Sequence, residues 1–150
     1  VVLKFAKEGG YILGICNGFQ VLCETGLLPG ALVGNIGLKF ICRQESLLVE
    51  NSDSIFTSNY HSGQEINLPI AHHDGNYIAD DKTISELEDN GRVVFKYLEN
   101  PNGSINNIAG ILSKNKRVLG MMPHPERAVD KIHASNDGRN LFSSLLESFR

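Results

Sequence analysis

Apolar residues in this chain come in short clusters set off by glycine, proline, asparagine and aspartate, and the spacing within each cluster predicts its element. Val1 to Glu8 reads as the end of an amphipathic helix stopped by Gly9-Gly10. Tyr11 to Ile15 is a short apolar run of the kind buried parallel strands show, and Asn17 to about Thr25 reads as a helix with Phe19, Leu22 and Cys23 on one side, ended by Gly26. Leu27 to Gly30 is a turn. Leu38 to Cys42 and Ser46 to Glu50 read as two strands, and the polar stretch Asn51 to Gly63 as a loop. Ile66 to Ala71 is a further strand, with Pro69 arguing for an edge or a bulge. His72 to Asn76 turns into Tyr77-Ile78-Ala79. Asp81 is the expected cap of a helix over Lys82 to Asn90, and Arg92 to Leu98 alternates as a strand does. Ile108 to Leu112 and Val118 to Met122, joined by Ser113-Lys114-Asn115-Lys116, form a hairpin. A last helix, about Gly138 to Phe149 and capped by Asn136 or Asp137, is expected to bury Leu141, Phe142, Leu145, Leu146 and Phe149. Helices at both ends and strands between them make an α/β fold with an antiparallel insertion.

Composition narrows the function classes. With 150 residues, 41% hydrophobic and 21% charged, the chain is one globular domain with a core of its own. A net charge of −3 gives no electrostatic case for nucleic acid or an anionic membrane. No apolar stretch approaches the roughly 18 residues of a membrane span. Cys16, Cys23 and Cys42 have no C-x-x-C spacing, which argues against a disulfide framework or a zinc site and for a reducing, cytoplasmic setting. His72-His73-Asp74 is no better as a metal site, since neighbours on a strand face opposite ways and no second cluster completes the ligands. The opening helix lacks its own beginning, so the expectation is a piece of a longer chain, without its N-terminal part.

The chemistry concentrates at Gly14-Ile15-Cys16-Asn17-Gly18, a strand, a sharp turn and a helix with a cysteine at the apex. This is the arrangement of a nucleophile elbow, with sulfur in place of oxygen. A helix N-terminus favours the thiolate of Cys16; a buried structural cysteine is the competing reading, and these five residues leave both open. A cysteine nucleophile needs a base and a group to orient it. His124-Pro125-Glu126 offers both, because side chains two apart in an extended segment share a side and the flanking prolines stiffen the stretch; a surface turn with an incidental ion pair is the competing reading, which the Cys16 elbow disfavours.

Gly14 to Gln20 and Gly120-Met121-Met122-Pro123-His124-Pro125-Glu126-Arg127 resemble the two signatures of class I (triad) glutamine amidotransferases. More narrowly they are similar to the glutaminase subunits of phosphoribosylformylglycinamidine synthase, from purine biosynthesis. Leu38 to Arg43, Val49-Glu50-Asn51 and Pro69-Ile70-Ala71-His72 also fit, so the likeness spans most of the chain. It implies a flavodoxin-like α/β fold, a mixed sheet flanked by helices, with its N-terminal strands missing from these residues. It implies that Cys16 attacks the side-chain amide of L-glutamine, that His124 oriented by Glu126 handles the protons, and that the Asn17 backbone N–H is one oxyanion donor. It places Gln20, His72, Tyr60 and Ser62 on the substrate side, with a solvated loop as the alternative for the last two. Arg43 would face the amino-acid carboxylate or a partner, and Arg127 would face a partner or brace its own loop. The partners implied are a synthetase subunit, which would hold ATP and Mg, and a small bridging subunit; no cofactor is expected in this chain. In that family the second oxyanion N–H comes from a glycine-rich loop ahead of the nucleophile strand, and only 15 residues precede Cys16. These 150 residues alone are therefore expected to be weakly active or inactive. His73-Asp74 departs from the family's Gly-Glu. The rival readings are the glutaminase domain of another amidotransferase, a γ-glutamyl hydrolase, and a non-catalytic scaffold or regulatory relative.

Overall fold

The structure is a computed structural model that describes residues 1–150. In chain order its elements are α1 (Val2–Lys7), β1 (Ile12–Ile15), α2 (Asn17–Glu24), β2 (Ala31–Val33), β3 (Ile41–Val49), β4 (Glu65–His72) and β5 (Asn76–Ile78). There follow α3 (Asp81–Asp89), β6 (Val93–Tyr97), β7 (Ile108–Leu112), β8 (Val118–Met121) and α4 (Arg139–Ser148). Six strands form one mixed sheet in the order β1-β8-β7-β6-β3-β4, and β2 pairs with β5 in a small separate ribbon. The apolar strand β1 runs parallel to β8, Gly14 opposite Gly120, and every other pairing is antiparallel.

Each strand sends alternate side chains to opposite faces, so the sheet carries two cores. On one face Leu47, Ile66, Ile70, Phe95 and Leu119 pack with Leu141 of α4. On the other Ile111 and Val118 pack with Phe19 and Leu22 of α2 and Ile84 and Leu87 of α3. The sheet also curls. β1 and β4 are its two ends in hydrogen-bonding order, yet the Cys16 thiol, just after β1, donates to the Ala71 carbonyl of β4 at 3.6 Å. The His124 N–H, just after β8, donates to the Pro69 carbonyl at 2.8 Å. The first and last strands thus close on each other at one place.

Several expectations need correction. The two strands expected over residues 38–50 are one, β3, because its polar middle is paired continuously with β4 from Ile41↔His72 to Leu48↔Glu65. The strand β2 was not expected. Pro69 does lie in an edge strand, since β4 pairs with β3 alone. Asp80, not Asp81, caps α3, its carboxylate accepting from the Thr83 N–H at 2.7 Å. Neither Asn136 nor Asp137 caps α4: Gly138 holds that position, and the Asp137 carboxylate accepts instead from the Asn67 N–H. Leu146 and Phe149 stay exposed, so the helix buries a narrower stripe than its periodicity suggests. The loop Asn51–Gly63 has no regular element but sends Phe56 and Tyr60 into the core. No helix is long and apolar enough to cross a membrane, and no three His, Cys, Asp or Glu side chains gather as a metal site would need.

Candidate active site

β1 passes into α2 through one residue, Cys16, which is the helix N-cap and has φ 52°, ψ −106°. That left-handed φ costs a non-glycine residue about 1–3 kcal/mol and persists only where its surroundings impose it. They do: the Cys16 N–H donates to the Met121 carbonyl at 2.8 Å, extending the β1–β8 ladder past the end of the strand. Close packing below does the rest. A Cβ on Gly14 would lie 2.4 Å from Leu22 Cδ1 and 2.8 Å from the Gly18 carbonyl carbon, and one on Gly120 would lie 2.3 Å from the Phe19 ring. Gly18 is under no such constraint, because a Cβ there meets no atom within 4 Å.

The elbow holds a thiol rather than a ready thiolate. Burial pushes the Cys16 thiol above its ordinary value, against the opposing pull of the Asn17 backbone N–H and the Arg127 charge. The helix-end argument is therefore right in sign but outweighed by desolvation. A base at the site is needed to take the proton.

A candidate for that base stands in the segment after β8. His124 Nδ1 lies 2.6 Å from Glu126 Oε1. The pair expected from an extended segment does form, but through a tight 3-10 turn over Pro125–Arg127, closed by the Arg127 N–H on the His124 carbonyl at 3.2 Å. Pro125 enters this turn at its first position, where a missing N–H is harmless. The carboxylate can only accept, so Nδ1 carries the proton and Nε2 of the neutral ring keeps its lone pair. His124 Nε2 is buried and has no hydrogen-bond partner. Arg127 Nε stands 3.6 Å from the same Glu126 oxygen and braces the carboxylate. No hydrogen bond joins Cys16 to His124: the thiol donates to the Ala71 carbonyl, and His124 Nε2 stays unpartnered.

Cys16 and His124 line one cavity of about 430 Å³ together with Asn17, Gln20, His72 and Arg127. That is ample for an amino acid. A larger hollow of about 510 Å³, beside Arg92 and Lys114, is lined by no cysteine and no histidine, so chemistry rather than size marks the site. Gln20 stands in the cavity wall, its Nε2 donating to the Asp74 carbonyl at 2.9 Å. His72 contributes to the cavity wall but is only 3% exposed, so it is largely buried and not open to a substrate as expected. Tyr60 lies in the core, its hydroxyl on the Asp137 carbonyl at 2.6 Å, and Ser62 donates to the Glu50 carbonyl; neither lines the cavity. Arg43 lies outside it too, paired with Glu45 on β3. Sequence reasoning missed Asn35 and Asn102, both fully buried beside His72, because their partners lie 37 and 30 residues away in the chain.

Residues 1–147 match the family described as the CobB/CobQ-like glutamine amidotransferase domain. The phosphoribosylformylglycinamidine synthase subunit PurQ of Ruegeria sp. (strain TM1040) is 60% identical over 144 residues, which are 96% of this chain and 65% of that protein. The PurQ subunit of Novosphingobium aromaticivorans is 55% identical over 145 residues, 97% of this chain and 64% of that one. The chain thus spans about two thirds, 65%, of the length of the curated relatives it matches. Among solved structures, a chain of PurLQS from Thermotoga maritima superposes with a TM-score of 0.90 at 43% identity, over 99% of this chain and 66% of that one. A glutamine amidotransferase from the same organism, 15% identical with a TM-score of 0.58 over 99% of this chain and 50% of that one, shares the fold. The family match over nearly the whole length, with the α/β architecture to go with it, means that this chain belongs to the CobB/CobQ-like glutamine amidotransferase family.

Proposed function

We propose that the chain is the main part of a glutaminase subunit of phosphoribosylformylglycinamidine synthase, in purine biosynthesis, and that it acts in the cytoplasm. The observation that carries the reading is the buried, unpartnered Nε2 of His124, with its tautomer set by Glu126, in the wall of the cavity that also holds Cys16. In this reading the Cys16 proton passes to His124 Nε2 and the sulfur attacks the side-chain amide carbon of L-glutamine. The oxyanion is met by the Asn17 backbone N–H, a contact of a kind worth about 3–4 kcal/mol of barrier. His124 returns the proton to the departing ammonia, leaving a γ-glutamyl thioester. Water, giving a proton to the same nitrogen, then cleaves the thioester to glutamate, and Cys16 leaves as a thiolate that recovers the proton.

Ammonia would be handed to a synthetase subunit that consumes ATP and formylglycinamide ribonucleotide, with a small bridging subunit in the complex. Support comes from the PurQ relatives and from the PurLQS match at 43% identity. Gln20, in the cavity wall, is proposed on the glutamine side, and exposed Arg43 and Arg127 on the partner side. No cofactor is proposed for this chain. The test is glutamine-dependent amidation of formylglycinamide ribonucleotide by the full-length protein with its synthetase. Cys16→Ala should abolish it while added ammonium still supports the reaction; glutamine-dependent activity surviving that substitution would overturn the reading.

A further inference from the structure

His72 closes β4 and is buried, but no step above uses it. Its Nδ1 lies 3.0 Å from Asn35 Oδ1. The orientation of Asn35 is fixed by its own amide: Nδ2 donates to the Lys39 carbonyl at 2.7 Å and the His72 carbonyl at 2.9 Å, while Oδ1 also accepts the Gly75 N–H at 3.0 Å. The His72 nitrogen facing that oxygen must carry the proton. Its other nitrogen, Nε2, then accepts from Asn102 Nδ2 at 3.4 Å. With both ring nitrogens engaged, His72 has neither a proton nor a lone pair to offer a substrate, and burial holds its pKa down to about 4.

What this lock secures is the outer edge of β4. The backbone groups of successive residues in an antiparallel strand point to alternate sides. Pro69 and Ala71 therefore share a side, and both point away from β3. Their carbonyls hold the reacting pair: Pro69 takes the His124 N–H at 2.8 Å and Ala71 takes the Cys16 thiol at 3.6 Å. The lack of an N–H on Pro69 leaves no gap in the ladder at this free edge. The strand's last residue, directly after Ala71, is His72.

We propose that His72 is a positioning residue: locked between Asn35 and Asn102, it pins the end of β4, and the pinned edge sets the spacing of Cys16 from His124. An unpinned edge strand frays at its end, and the Ala71 carbonyl would move with it. A misplacement on the order of 1 Å at a reacting pair costs about 100-fold in rate. The proposal rests on the roles given above to Cys16 and His124.

The test is His72→Asn in the full-length protein with its synthetase, a change that keeps a donor near Asn35 and removes the acceptor of Asn102. The kcat for glutamine should fall roughly 10- to 100-fold while KM moves less than about threefold. Long-range proton–nitrogen NMR of the unmutated protein should show His72 protonated on Nδ1 and neutral down to about pH 5, and this measurement needs no variant to fold. A kcat within about twofold of the unmutated protein, a loss confined to KM, or an Nε2-protonated ring would each overturn the proposal. Absence of glutamine hydrolysis by the unmutated full-length protein with its synthetase would instead overturn the functional reading, with the NMR result still deciding the lock.

Discussion

An alanine at Gly14 asks whether close packing holds the elbow in its left-handed conformation. The added Cβ would stand 2.4 Å from Leu22 Cδ1 and 2.8 and 2.9 Å from the carbonyl carbon and oxygen of Gly18. The Leu22 methyl can swing aside. The Gly18 carbonyl cannot, because it belongs to the first turn of α2 and can retreat only by carrying Cys16 with it. Overpacking costs about 1–3 kcal/mol, and contact with backbone places Gly14→Ala near the upper end, about 3 kcal/mol. Gly18→Ala is the internal control. The same methyl on the other side of the cysteine meets nothing within 4 Å, and alanine in place of a helical glycine gains about 0.5–1 kcal/mol. The two variants should therefore move stability in opposite directions and differ by about 3.5–4 kcal/mol, or roughly 7–16 °C in Tm for a protein of this size. Thermal and urea denaturation of the full-length protein would read the difference. Tm values agreeing within about 2 °C would refute the packing account of the elbow.

Two further outcomes follow from the site. Glu126→Gln leaves the shape of the turn but removes the charge that holds His124 in its Nδ1-protonated tautomer. It should lower kcat for glutamine about 100-fold or more with little change in KM, and steady-state kinetics giving an unchanged kcat would contradict the role of the 2.6 Å pair. Stability should also fall in acid, because burial keeps His72 neutral down to about pH 4 while the unfolded chain protonates it below its ordinary value of 6.5. The unfolded state binds more protons between those two values, so stability is lost as pH falls from about 6.5 to about 4, by at most about 3 kcal/mol; urea midpoints across that range should show the drop, and His72→Asn should flatten it.

The strand-turn-helix around Cys16, the β7–β8 hairpin and the edge position of Pro69 were legible because each is a local matter of period, turn chemistry or a missing N–H. So was the pairing of His124 with Glu126, two residues apart, although the turn that achieves it was not. What the residues could not convey was the curl that brings Ala71 of β4 against Cys16, since nothing local encodes contact between the two ends of a sheet. The same blindness hid Asn35 and Asn102, which look like ordinary loop asparagines until His72 is seen between them. Tyr60 and Ser62, which the family likeness placed on the substrate side, do not line the cavity, and the alternative of a solvated loop fails for Tyr60, because that loop sends Phe56 and Tyr60 into the core. The thiolate expectation failed for a related reason: a helix N-terminus is visible in sequence, whereas the burial that outweighs it is a property of the assembled fold.

The central claim is that Cys16 is the nucleophile, and the chain supplies its own controls. Cys42 is exposed, and Cys23 is buried with a pKa pushed up to about 12 by desolvation. Reacting the full-length protein with a diazo-ketone analogue of glutamine, and mapping the adduct by peptide mass spectrometry, would separate the three. The account requires a single adduct on Cys16, blocked by excess glutamine and slowed by Glu126→Gln; an adduct on Cys42 or Cys23 with Cys16 untouched would contradict it.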